Sequence, residues 1–122
     1  MKRLALIFII LFISSPLYAA HIQKEKYYQD KWCKANNGVT EYVLDDKTRV
    51  DCLTDEYAIE FDFSYKWPES IGQALYYAIR TGKLPGVVLI MENIGDGRYL
   101  ERLEVVAIKY GIRIWTMQGD LK

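Results

Sequence analysis

The hydrophobic pattern changes period several times along the chain, and each change marks an element. Leu4 to Ile13 is an unbroken apolar run behind Lys2 and Arg3, followed by Ser14, Ser15, Pro16 and then Leu17-Tyr18-Ala19-Ala20. A basic start, a short apolar core and a helix breaker ahead of small residues predict a secretory signal peptide over 1–19, cleaved after Ala19. The alternative is an uncleaved anchor, but the run falls short of the roughly 20 residues that a membrane-spanning helix needs. A single domain over 20–122 remains to fold.

Within that domain, Ile22, Tyr27, Trp32 and Cys33 have a loose helical spacing that ends at Asn36-Asn37-Gly38, predicting a helix over 21–37. Glu41 to Leu44 and Thr48 to Leu53 read as strands joined by the polar turn Asp45-Asp46-Lys47, and Tyr57 to Phe63 as a third strand after Thr54-Asp55-Glu56. Pro68 opens a helix in which Ile71, Leu75, Ala78 and Ile79 recur on one face up to the Thr81-Gly82 stop. Pro85-Gly86 introduces a continuous apolar run, Val87 to Met91, of the kind found in a buried strand. Tyr99, Leu103, Val106, Ala107 and Tyr110 define a last amphipathic helix ended by Gly111, before a final strand over Ile112 to Met117. The predicted order α-β-β-β-α-β-α-β is a meander followed by crossover units: an α/β fold with a mixed central sheet flanked by helices.

Composition then narrows the picture. The chain has 16 basic and 16 acidic residues and 51% hydrophobic content, which excludes disorder and fibrous repeats. Lys2 and Arg3 belong to the leader, so 14 basic residues face 16 acidic ones in the mature chain, a net charge of two negative. Such a balance offers no global attraction to nucleic acid, whose non-specific affinity comes mostly from Lys and Arg neutralising phosphates. A local basic strip from Arg80, Lys83, Arg98, Arg102 and Lys109 is one arrangement of the cations; a solvated face is the other. Cys33 and Cys52 are an even pair in an exported chain and are expected to form a disulfide. No zinc site is expected, since His21 is the single histidine.

Strand alternation places the candidate chemistry. Arg49, Asp51 and Leu53 share one face, as do Ala58, Glu60 and Asp62. If the hairpin sets Leu53 opposite Ala58, Asp51 lies opposite Glu60 and Arg49 opposite Asp62. Like charges directly opposite one another are unfavourable. A divalent cation held by hard oxygen ligands would compensate them; the alternatives are a solvated strand face or neutralisation by Arg49 and Lys66. Asp62 reads first as a salt-bridge partner of Arg49 and second as a further ligand. Lys66 follows the third strand, and Gln73 and Tyr77 lie one turn apart on the next helix with Glu69 one turn before. Carboxylates, a lysine and a polar helix stripe are the parts that phosphodiester hydrolysis needs: metal ligands and a cation to steady developing charge.

The segments Arg49-Val50-Asp51, Glu60-Phe61-Asp62 and Gln73-Ala74-Leu75-Tyr76-Tyr77 together resemble the PD-(D/E)XK nuclease superfamily, of restriction-endonuclease-like fold, and in particular its branches with a RecB-like Gln-x-x-x-Tyr helix. The element order matches that fold's α-β-β-β-α-β core. The resemblance implies that Asp51 and Glu60 bind magnesium or manganese, that Glu41 is an auxiliary metal ligand, and that Gln73 and Tyr77 position DNA or the active-site lysine. It also exposes a departure: where the family has lysine, two positions after Glu60, this chain has Asp62. Lys66 is the substitute by proximity and reach. Trp67 beside it is either a core or rim aromatic or a stacking platform for a base.

The expectation is an exported, periplasmic or secreted, metal-dependent nuclease of a bacterium, acting on DNA or else RNA, with no stable membrane insertion after leader cleavage. The alternatives are a catalytically inactive nuclease-fold protein that serves as a binding module in the envelope, and a disulfide-stapled structural module.

Overall fold

The structure, a computed structural model, describes residues 21–119; the predicted leader lies outside them. The elements follow the predicted order: α1 (Glu25–Ala35), β1 (Val39–Val43), β2 (Arg49–Leu53), β3 (Tyr57–Phe63), a short 3-10 turn (Ser64–Lys66), α2 (Trp67–Thr81), β4 (Leu84–Met91), a second 3-10 turn (Ile94–Asp96), α3 (Gly97–Tyr110) and β5 (Arg113–Gln118). The five strands form one mixed sheet in the order β1-β2-β3-β4-β5. The first three pair antiparallel and the last three parallel, as a meander joined to two helical crossovers requires.

Three of the boundary differences from the sequence reading have a visible physical cause. Helix α1 starts at Glu25 and not at His21, because residues 21–23 are drawn into a hydrogen-bonded clasp on Glu92. Strand β1 runs from Val39 to Val43 and not from Glu41 to Leu44, since Leu44 opens the tight turn in which its N–H donates to Thr48 O. Strand β4 begins at Leu84, so Pro85-Gly86 is part of a strand and not a turn before it. Gly86 is needed there: a Cβ would come 2.8 Å from Cζ3 of Trp115, which lies across it from β5.

Apolar side chains cover both sheet faces. Ala74, Val87, Leu89, Leu103, Ala107 and Ile112 form the core beneath α2 and α3, with Trp67 packed against it. Cys33, Cys52, Ile59, Phe61 and Val88 form the core beneath α1. Burying a side chain such as Phe61 or Ile59 contributes roughly 1.5–3 kcal/mol. The alternation of β3 is thereby fixed: Ile59 and Phe61 face α1, while Ala58 packs with Tyr77 of α2 and takes Glu60 and Asp62 to that side. The Cys33–Cys52 disulfide forms as expected, tying α1 to β2. Gly38 abuts it so closely that a Cβ there would sit on both sulfurs, 2.6 Å from Sγ of Cys33.

Candidate active site: an acid cluster where the ladder opens

The β2–β3 hairpin has the expected register at its turn, with Leu53 opposite Ala58 and Cys52 opposite Ile59. Beyond Cys52 the regular pairing stops. The Asp51 carboxylate takes the place of a backbone acceptor, receiving the Phe61 N–H at 2.8 Å. On the other side, β1 and β2 pair Thr40 with Cys52 and Tyr42 with Val50, and the residues between, Glu41 and Asp51, are not paired. Glu41 adopts a left-handed φ of 53°, which costs a non-glycine residue about 1 kcal/mol or more.

The side chain of Gln29, buried on α1, fills that gap. Its Nε2 donates to Glu41 Oε1 at 2.9 Å and to the Asp51 backbone carbonyl at 2.7 Å. One amide thus restores the bonding that the ladder gives up and holds two of the predicted acids in place. The break also shows in the packing. Val50 and Cys52 are two residues apart and should share a face, yet Val50 joins the cluster of Ala58 and Tyr77 while Cys52 joins the α1 core.

Asp51 and Glu60 come within hydrogen-bonding reach of each other. Glu60 and Asp62 are each only 6% exposed, and Oε2 of Glu60 and Oδ2 of Asp62 are buried without a hydrogen-bond partner. Burial, followed by the charges of Asp51 and Asp62, drives the Glu60 carboxyl far above the usual carboxylate range. Asp51 is also raised, chiefly by burial and against the Phe61 hydrogen bond. Asp62 is pushed up to about 7 by burial and by Glu25 and Asp51, with Lys66 opposing. Tyr77 rises to about 12 through burial and then through the charges of Glu60 and Asp51.

The predicted site residues therefore divide. Asp51, Glu60, Glu41 and Tyr77 share one electrostatic neighbourhood, and Lys66 enters it through Asp62 and Glu25, both of which feel its charge. Lys66 forms no ion pair among the described residues, and its ammonium lies 6.0 Å from the Tyr65 ring centre. Gln73 is exposed, and no hydrogen bond ties it to the acids. Trp67 packs against the α2–α3 core, which matches the core reading of this residue. The Arg49–Asp62 salt bridge does not form. Arg49 turns to Glu41 at 3.7 Å, because the ladder that would have set it opposite Asp62 ends at Cys52.

Sequence spacing missed Glu25. It lies in the first turn of α1 and is raised to about 6 by burial and then by Asp51, with Lys66 opposing. Its position four residues before Gln29 was the available signal, since that spacing puts both on one helix face. An open cavity of about 370 Å³ bordered by Trp32, Tyr57, Arg113 and Trp115 contains none of these acids.

Carboxylate oxygens are the donors that hard divalent cations prefer, and two orphaned oxygens in a buried acidic cluster fit such a cation chemically. No group of three or more His, Cys, Asp or Glu side chains is arranged to hold a metal ion among the described residues. Magnesium tolerates that, because it keeps several waters and often takes only one or two carboxylates together with substrate phosphate. No protein-family model matches the chain, and neither does any curated protein or solved structure.

Proposed function

We propose that this protein is a divalent-metal-dependent nuclease that hydrolyses DNA phosphodiester bonds, built on a restriction-endonuclease-like version of its α/β fold. The observation that carries the reading is the pair of buried, unpartnered oxygens on Glu60 and Asp62, set beside Asp51 with Lys66 in electrostatic reach. Acids are not buried together in this way without a penalty of several kcal/mol unless a proton or a cation offsets it. In this reading Asp51 and Glu60 hold magnesium or manganese and Glu41 assists from the opened strand. An ion held there would polarise the phosphate and acidify a water. Lys66 steadies charge on the phosphate in place of the lysine missing at Asp62, and Gln73, exposed on α2, meets the substrate and not the acids. The strained backbone at Glu41 is also in keeping with a site of chemistry.

The Cys33–Cys52 disulfide supports action outside the cytoplasm, in the periplasm or beyond, as does the apolar leader pattern. No helix among the described residues is long and apolar enough to cross a membrane. A second reading, a catalytically silent nuclease fold that binds a partner in the envelope, draws on the Asp62 departure and on Lys66 making no ion pair.

The deciding experiment incubates the oxidised protein with plasmid and linear DNA in magnesium, manganese or chelator. Cleavage that needs metal and is lost in Asp51→Ala and Lys66→Ala is the expected result. Cleavage lost in Asp51→Ala but retained in Lys66→Ala would keep the nuclease and remove the lysine's role. No cleavage under any of these conditions would favour the silent fold.

A further inference from the structure

The open cavity away from the acids is built from parts that the nuclease reading does not use. Its volume of about 370 Å³ falls in the range of pockets that hold small ligands. Tyr57 and Trp115 reach it from β3 and β5 and Trp32 from α1. All three pack against the α1 core, on the sheet face opposite Glu60 and Asp62. The rings meet as a corner: Trp32 and Tyr57 stand at 61° and 88° to Trp115, with centroids 5.2 and 5.1 Å from it. Each is half-buried and keeps part of its ring on the cavity wall. Trp115 lies low in the corner because Gly86 beneath it has no side chain.

The rim is fixed in its backbone and free in its side chains. Across the 54–57 turn, the Thr54 N–H donates to the Tyr57 carbonyl at 2.9 Å and the Tyr57 N–H to Thr54 Oγ1 at 3.0 Å. Lys83 Nζ donates to the Asp55 carbonyl at 2.6 Å. By contrast, the Asp55 and Glu56 carboxylates, the Arg113 guanidinium and the Tyr57 hydroxyl make no hydrogen bond or ion pair among the described residues. Uncommitted polar groups on a rigid frame need little ordering when a ligand arrives.

The chemistry of these groups selects the ligand. A nucleobase stacks on an aromatic face and brings phosphate with it; here the rings crowd one another at steep angles, and the wall has two acids against one base, a poor match for phosphate. An organic cation finds its place taken, since the Arg113 guanidinium already lies over the Trp115 ring at 5.2 Å. A wholly apolar ligand would strip water from the rim carboxylates and return nothing. An uncharged sugar meets every condition. Its polarised C–H groups suit electron-rich rings that approach from several directions. Its hydroxyls donate to Asp55 and Glu56 and accept from Arg113, and Tyr57 Oη does either. We propose that this corner binds a neutral pyranose, free or at the end of a glycan chain. The site is separate from the acid cluster and does not rest on the nuclease reading.

The three tryptophans make the test direct, because Trp32 and Trp115 line the cavity while Trp67 packs on the other sheet face. Indole N–H signals of the nitrogen-15-labelled protein are followed as glucose, galactose, mannose, N-acetylglucosamine, cellobiose and chitobiose are each titrated to about 50 mM. At least one sugar should shift the Trp32 and Trp115 signals saturably and leave Trp67 unmoved. The Asp55→Ala, Glu56→Ala double variant changes exposed positions alone, so it should keep its melting temperature and bind that sugar about tenfold or more weakly. A disaccharide that binds more tightly than its monomer identifies the end of a glycan; equal affinities identify a free sugar. No saturable shift with any of the six, equal shifts at all three indoles, or unchanged affinity in the double variant overturns the proposal. A short single-stranded oligonucleotide that moves the same two signals where sugars do not would hand the corner to nucleic acid and overturn it as well.

Discussion

Glu60 is the residue at which charge and packing conflict most. It is buried, one of its oxygens has no partner, and the nearest groups able to answer it are further acids. Without metal such a carboxyl stays protonated, so an amide of the same shape replaces a group that is already neutral. Glu60→Gln should therefore leave the melting temperature of the chelated protein at pH 7 within about 5 °C of the unmodified value, or raise it. The same change should lower metal-dependent cleavage by at least about a hundredfold, because the amide cannot become an anionic ligand. Thermal melts in chelator beside cleavage rates in magnesium make the check; a large loss of stability would mean that Glu60 is ionised in the fold. Asp51 and Glu60 were legible as neighbours from the short turn that brings β2 and β3 together, although the ladder expected to set them directly opposite one another ends at Cys52. Asp62 was misassigned to Arg49 because that inference assumed a ladder running unbroken past Cys52. The interruption comes from Gln29 and from the Asp51 side chain bonding to Phe61, neither of which leaves a mark in the period of the strands.

At the scale of elements, α1 and β2 are joined by a disulfide, by the Gln29 hydrogen bond to the Asp51 carbonyl and by the close approach of Gly38 to both sulfurs. The disulfide closes a separation of 19 residues, which in the chain-entropy account stabilises the fold by roughly 3 kcal/mol. Reduction should lower the melting temperature by on the order of 10 °C. Gly38→Ala should act on the same joint, because its methyl group would meet both sulfurs and the Leu53 carbonyl at 3.3 Å. The expected loss is about 1–3 kcal/mol, and most of it should vanish when the substitution is made in a reduced Cys33→Ala, Cys52→Ala background, where the sulfurs are gone. A Gly38→Ala penalty equal in both backgrounds would place the strain elsewhere. Since Gln29 reaches Glu41 and Asp51 from α1, reduction should also slow any cleavage, through looser placement of those acids. The pairing was legible from the leader pattern and the cysteine count alone. The start of β4 was not, because Pro85-Gly86 carries a strong turn signal that is overridden by pairing with β3 on one side and the demand of Trp115 for space on the other. The helices α2 and α3 were clear from their spacing and from Gly82 and Gly111, which close them in left-handed conformations at φ 70° and 66°.

For the whole molecule, the even balance of 16 basic and 16 acidic residues hides how unevenly acid is distributed, and that distribution sets how stability responds to pH. Asp62 moves from an ordinary 3.8 to about 7 and Glu25 from 4.5 to about 6, each chiefly through burial. Between their unfolded and folded values the folded chain binds more protons than the unfolded one, so stability falls as pH rises through that window. Their contribution is complete below about pH 4 and lost by about pH 8. Glu92 runs the other way. Burial raises it, but the hydrogen bonds from Tyr28, His21 and Gln23 outweigh burial and hold it below its ordinary range, so its contribution is lost as pH falls through its folded value. The chelated protein should thus melt highest in mildly acidic buffer, between about pH 4 and 6, and lower at pH 8. Magnesium or manganese should reverse the alkaline loss, because a cation bound to the ionised acids stabilises the form that high pH favours, and should do little at pH 5, where protons compete for the same oxygens. Melting curves at pH 5 and 8, with chelator and with each metal, read this directly, and Asp62→Asn should flatten the chelated profile. If the melting temperature does not change from pH 5 to 8, or if metal raises it equally at both, the buried acids are not the cation site.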